Sequence, residues 1–302
     1  LRFKKQFKIM NALVKILYLF IILAVLLLNL GCDFINPPEK IPTYIAVDTI
    51  YLQTDPVYQG SSKHAISDCW LYVNNKLIGI FEVPFKVPVL ESGLQSIQIE
   101  PGIKVSGSDS YRQIYPMMYG YYFDTVLTEG GVMTVNPVFT YRPATFALIE
   151  DFEDIGIAFE ISQQSDTNIM ILQNQNSLEG KSMYFALDNQ RKNFECRTTS
   201  IYDLPKTGKV FLEVSFKSTD NFEFGIFSLE YTGQQAMEVR KRVYVFNPTT
   251  TWKRVYIDMN YFIINANGSQ FRLYFTCSRP ENAQNLKTEV YIDNIKLLYL
   301  VN

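Results

Sequence analysis

Few groups in this chain could do proton-transfer chemistry. His64, in "SSKHAISD", is the only histidine among 302 residues, so any Ser–His–Asp triad has to be built on it. Ser61, Ser62 and Ser67 stand nearby, but no G-x-S-x-G nucleophile elbow accompanies them. His64 reads as a loop histidine, and the lack of a second imidazole excludes the common His-based zinc hydrolases. The densest acidic run is "EDFED", residues 150–154. Alternation along a strand directs Asp151 and Glu153 to one face. A glycosidase pair needs two carboxyl groups roughly 5–9.5 Å apart across the scissile bond. Sequence does not give that distance, so a solvated acidic strand end is the plainer reading.

Binding chemistry has more to draw on. Aromatic faces stack on sugar rings while polar side chains read hydroxyls, and "YRQIYPMMYGYYFD", residues 111–124, is the richest aromatic cluster. Pro116 and Gly120 suggest a loop there that presents Tyr115, Tyr119 and Tyr121 together, with Arg112 as their polar companion. The same rings could equally close a core. Trp252 and Tyr231 are further platform residues to consider, although Trp252 opens a strand and suits a packing role better.

The cysteines carry a different message. Cys69, Cys196 and Cys277 are widely spaced, with no C-x-x-C unit, which speaks against a zinc site. In an exported protein Cys196 and Cys277 could pair. Buried free thiols acting as small apolar residues are the simpler expectation. Cys32 differs because of what precedes it. Ile16–Leu28 is a run of thirteen residues without a charge, shorter than the ~20 apolar residues that span a bilayer. Arg2, Lys4, Lys5, Lys8 and Lys15 lead into it, as in a secretory signal. The run ends in "NLGC", which resembles the lipobox of bacterial lipoproteins, departing from it at Asn29. The resemblance implies cleavage after Gly31 and acylation of Cys32, where each buried methylene contributes ~0.8 kcal/mol to anchoring. Pro37, Pro38 and Pro42 follow and favour an extended tether.

Composition bounds what remains. Hydrophobic residues make up 47% and charged residues 19% of the chain, the balance of a folded protein. The 20 tyrosines and 22 phenylalanines, with abundant Val and Ile, favour strands. Net charge is −2, and no basic stripe of the kind that follows phosphate backbones is visible, which speaks against nucleic acid as a partner.

The elements that must position these residues are strands. "CWLYVNNKLIGIFEV" predicts a hairpin turning at Asn74–Asn75. "LQSIQIEPG" alternates through Leu94, Ile97 and Ile99, and further strands are expected at 121–127 and 132–139. A second, longer set begins after "YRPATF", near Phe146, and runs to the C-terminus between Gly, Asn, Pro and Ser clusters. In that half, "EDFED", "TWKRVYIDM" and "VYIDNIKLLY" resemble elements of jelly-roll, galactose-binding-like carbohydrate-binding modules. The resemblance covers about residues 146–302. It implies a structural calcium held by Glu153 and Asp293, with Asp151 as a further ligand and backbone carbonyls completing the shell.

These readings lead to an all-β expectation of two antiparallel β-sandwich domains after a lipoprotein signal peptide, the C-terminal one jelly-roll-like. Residues 1–31 form the signal, 32–43 the lipidated cysteine and tether, 44–143 a small sandwich and 144–302 the jelly roll. The expected role is that of a lipid-anchored cell-envelope protein, placed at the outer membrane, that binds glycan or another surface component without catalysis. A structural or assembly subunit of an envelope complex is the second reading. A polysaccharide-active enzyme is the third.

Overall fold

The structure, a computed structural model, describes residues 2–29, 39–233, 235–281, 283 and 286–301. Helix α1 (Arg2–Asn29) covers the apolar run. Among the described residues no helix is long and apolar enough to cross a membrane. Cys32 and most of the tether lie outside the described residues.

The N-terminal strands are β1 (Thr43–Val47), β2 (Tyr51–Gln53), β3 (Asp68–Val73), β4 (Lys76–Glu82), β5 (Phe85–Val89), β6 (Gly93–Lys104), β7 (Arg112–Ile114), β8 (Tyr121–Leu127), β9 (Val132–Thr134) and β10 (Val138–Thr140). A one-turn helix, α2 (Pro56–Gln59), sits between β2 and β3. The antiparallel sheet β4-β3-β6, with β7 and β8 also on β6, faces β5-β1-β9 and the short pair β10-β2. The β3–β4 turn is where the sequence puts it: Asn74 and Asn75 have φ of 50° and 62°, the left-handed pair that a two-residue hairpin requires. Two details differ from the alternation. Leu94 points to solvent while Ile97 and Ile99 are buried. The strand expected over 132–139 is interrupted, leaving β9 parallel to β1 and β10 parallel to β2. Pro137 between them has no N–H for a ladder.

The C-terminal strands are β11 (Thr145–Glu150), β12 (Phe159–Ile161), β13 (Met170–Leu172), β14 (Ser182–Leu187), β15 (Asn193–Thr198), β16 (Tyr202–Asp203), β17 (Lys209–Ser218), β18 (Phe222–Thr232), β19 (Gln235–Phe246), β20 (Thr249–Asp258), β21 (Gln270–Ser278) and β22 (Thr288–Leu300), with α3 (Asn260–Ile264) after β20. They form two antiparallel sheets, β13-β14-β22-β17-β20 with β11 on β22, and β12-β15-β21-β18-β19 with β16 on β21. Alternate residues of both sheets fill one core. Phe185 stacks on Phe194 across the layers at 3.6 Å, and Phe222 stacks on its neighbour Phe246 within one sheet at 4.2 Å. Each such ring contributes roughly 1.5–3 kcal/mol by leaving water. Cys69, Cys196 and Cys277 are buried free thiols that serve the cores as small apolar groups.

The two sandwiches share a joint on the outward face of the β13-β14-β22-β17-β20 sheet. Phe211, Tyr256 and Leu298 of that sheet join the N-terminal hydrophobic cluster. Beside them Glu213 lies fully buried, and its partner Arg254 has a side chain only 4% exposed. Glu213 accepts from Arg254 at 2.6 Å, from the Tyr115 hydroxyl at 2.6 Å and from the Tyr141 hydroxyl at 2.9 and 3.0 Å. Lys296 donates to the carbonyl of Ser61 at 2.6 Å and to Tyr141 at 3.3 Å. Burial alone would raise the Glu213 pKa, but the Arg254 and Lys296 charges and the Tyr115 hydrogen bond hold it below the ordinary value. Removing one member of such a set leaves a buried charge unmatched. Glu213→Ala is expected to lower unfolding free energy by about 3–5 kcal/mol in a denaturant titration, far beyond the ~0–1 kcal/mol of an exposed pair.

Candidate functional site

The same sheet face continues past the joint, and there it is open. Because Met183 and Phe185, and Val290 and Ile292, point into the core, the intervening residues Tyr184 and Tyr291 must point outward. Register pairs Tyr184 with Tyr291 and Tyr291 with Lys217, so β14, β22 and β17 set three side chains in one row. The Tyr184 and Tyr291 rings are 4.7 Å apart, and Trp252 of β20 meets Tyr291 edge-on at 6.3 Å. Tyr291 is the inner member, 8% exposed. Tyr184 and Trp252 are half-buried.

Polar groups lock this row in place. The Trp252 indole N–H donates to the Asn176 carbonyl at 3.0 Å. Lys217 Nζ donates to Asn176 Oδ1 at 3.1 Å and sits 4.7 Å from the Tyr291 ring centre. The Tyr184 hydroxyl donates to Glu289 at 2.8 Å. Burial, then the Glu289 hydrogen bond, pushes the Tyr184 phenol well up, so it remains a donor. Asn176, Lys217, Thr249, Thr251, Glu289 and Tyr291 are among the residues lining a groove of about 790 Å³. Aromatic surface ringed by fixed donors and acceptors suits a ligand with alternating apolar faces and hydroxyl edges.

A second cavity, of about 570 Å³, lies between the sandwiches and is lined in part by Lys63, His64, Lys104, Trp252, Lys253 and Arg254. His64 is a joint residue, in keeping with a loop histidine. Nε2 lies 3.2 Å from the Ile50 carbonyl, the Ile66 N–H donates to Nδ1, and burial lowers the pKa.

The tyrosine cluster of residues 111–124 is not one patch. Tyr115 has no exposed surface and spends its hydroxyl on Glu213, so it cannot meet a ligand as the sequence reading expects. Tyr121 is half-buried against Phe123. Tyr119 is exposed beneath Arg142, 5.2 Å from its ring. Arg112 is committed to Asp68 and Glu82, each at 2.5 Å. The physical reason is the buried Glu213 carboxylate, which needs phenolic donors from a segment almost a hundred residues away. The sequence reading missed Tyr184, Tyr291 and Lys217. The usable signal was an aromatic residue at the outward phase of two strands whose neighbours are all core residues.

The sequence matches no protein-family model and no curated protein. Among solved structures the chain is similar to the family 11 carbohydrate-binding module from Clostridium thermocellum in complex with a β-1,3-1,4-mixed-linked tetrasaccharide, at 13% identity and TM-score 0.37, covering 51% of this chain and 95% of that one. A structure of promiscuous carbohydrate-binding modules of the β-sandwich superfamily matches at 10% identity and TM-score 0.36, over 86% of this chain and 99% of that one. A family 61 module in complex with β-1,4-galactotriose matches at 14% identity and TM-score 0.30, over 47% and 88%.

The implied calcium ligands do not fit a cation. Strand β11 stops at Glu150, so alternation does not carry through "EDFED". Glu150 instead accepts from the Phe152 and Ala158 amides, and Phe152, at φ 62°, turns into the core. Asp151 accepts from the Glu153 amide, and Glu153 accepts from the Lys181 amide. Asp293 is buried with both oxygens engaged, Oδ2 by the Ser182 hydroxyl at 2.7 Å and Oδ1 by the Asn294 amide at 2.7 Å. Among the described residues no group of three His, Cys, Asp or Glu side chains could hold a metal. Burial pushes the Asp293 carboxyl up to about 7 against the opposing hydrogen bonds. A raised carboxyl pKa means the folded state binds more protons than the unfolded one between about pH 4 and 7, so stability is lost as pH rises through that window. Asp293→Asn keeps the acceptor for Asn294 and removes the charge. It is expected to flatten the pH–stability profile over that window and to raise the melting temperature above pH 7, read by thermal scans at stepped pH.

Proposed function

We propose that this protein is a lipid-anchored cell-envelope protein that binds glycan along the Tyr184–Tyr291–Trp252 row and the groove beside it without turning it over. The observation that carries the reading is the row itself: aromatic groups on an open sheet face, held by Asn176, Lys217 and Glu289 in fixed positions. Rigid placement limits the ordering cost of binding. Glu289 is the one carboxylate among the groove-lining residues, whereas glycoside hydrolysis uses a pair. The anchor rests on the charged lead, the apolar run and "NLGC" before Cys32, and confinement at an outer-membrane surface raises effective concentration for multivalent capture.

A structural or assembly role is the second reading, favoured by a different face. Leu94 and Val126, paired across β6 and β8, are 74% and 67% exposed, with Tyr122 nearby at 59%. This exposed apolar pair, separated from Tyr122 by Ser96 and Asp124, suits a protein partner.

Trp252→Ala and Tyr184→Ala are each expected to weaken retention on a glycan array about tenfold, the loss of one good stacking contact. A panel of glycans bound equally by wild type and both variants would overturn the groove reading. Intact-mass measurement of the membrane form is expected to show an acylated Cys32 as the first residue. A bare thiol or an intact leader would remove the anchor.

A further inference from the structure

Resting on the glycan reading of the aromatic groove, we infer that the saccharide is acidic, its carboxylate or sulfate groups being received by the lysine-lined cleft between the two sandwiches. The cleft and the groove are neighbours. Lys253 lines both, and Trp252, in the wall of the cleft, is hydrogen-bonded to Asn176, which lines the groove. A chain that runs from the aromatic row past Trp252 and Lys253 therefore reaches the cleft.

The charge along that path is opposite to that of the rest of the molecule. Five of the 28 basic residues and none of the 30 acidic ones precede residue 33, so the remainder of the chain is net acidic. Yet Lys63, Lys104 and Lys253 line the cleft, where Asp109 is the one carboxylate in the lining itself, and Lys217 lies in the groove. Not all of these charges are free. Lys104 is paired with Asp109 at 2.6 Å and with Glu82 at 3.7 Å, and Arg254 is spent on Glu213, Ser215 and the Asn294 carbonyl. Lys63 reaches Glu179 only at 3.8 Å, with both side chains about half exposed. Among the described residues, Lys253 and Lys217 have no carboxylate within ion-pair distance. Lys217 is already held by Asn176 and the Tyr291 ring, so its ammonium is pre-placed.

Cations in a concave wall focus the field and favour anions over neutral ligands. A hydrogen bond from an ammonium to a carboxylate or sulfate oxygen is about twice as strong as one to a neutral hydroxyl. A neutral saccharide would gain from the aromatic row alone. A ligand bearing periodic negative charge gains from both.

The test uses the full chain in detergent on an array of neutral, uronate-bearing and sulfated oligosaccharides. Preferential retention of one acidic class, falling as salt rises, is expected, and the two acidic arms distinguish carboxylate from sulfate. The double variant Lys63→Gln/Lys253→Gln alters two exposed side chains and is expected to weaken acidic ligands about tenfold. Lys63→Gln alone, which lies outside the groove, should leave neutral ligands and the melting temperature unchanged, while Lys253→Arg retains binding. Neutral glycans held as tightly as acidic ones, indifferent to the lysine substitutions but lost in Trp252→Ala, would overturn this inference and leave the groove reading standing. Silence across the whole array would overturn both.

Discussion

Glu213 has no exposed surface, so its negative charge has to be met from within the protein. No single strand can do that. Arg254 comes from the neighbouring strand β20, Lys296 lies across from Glu213 on β22, and the phenols of Tyr115 and Tyr141 arrive from the other sandwich. Desolvating a carboxylate costs several kcal/mol, and the cost is recovered only when every donor is in place. The two sandwiches are therefore held in one arrangement by a charge that neither could bury alone. Apolar packing of Phe211, Tyr256 and Leu298 into the N-terminal core adds to it.

That joint divides one sheet face into two uses. The part beneath Tyr115 and Tyr141 is closed. The part beyond Ser215 is open, and there the outward phase changes from a buried ion set to the row of Tyr184, Tyr291 and Lys217. The cleft between the sandwiches exists only because of the joint, and so does the proximity of Lys63 to a C-terminal sheet. Whatever the groove receives, its neighbouring wall is set by the same interaction that sets the orientation of the sandwiches.

Polar residues on this chain are mostly committed to such internal duties. Glu150, Asp151, Glu153 and Asp293 look like a ligand set in one dimension, but in three they accept hydrogen bonds from amides, a hydroxyl and each other's loops. The same holds for Arg112, which bridges Asp68 and Glu82. Both cases follow from one rule, that a buried or half-buried acceptor captures the nearest N–H or O–H the fold provides.

Local chemistry was legible in the sequence. Alternation and turn residues define the all-β character, the Asn74–Asn75 hairpin and the inward Ile97 and Ile99, because a strand's two faces and a turn's dihedral angles depend on adjacent residues. Which aromatic residue meets water was not legible. Tyr115 and Tyr184 have the same side chain and each donates to a glutamate, yet one is sealed against Glu213 and the other is half-exposed on an open sheet face. Burial of that kind is decided by partners distant in the chain, through sheet register and domain docking, and those long-range pairings exist only once the tertiary structure has formed.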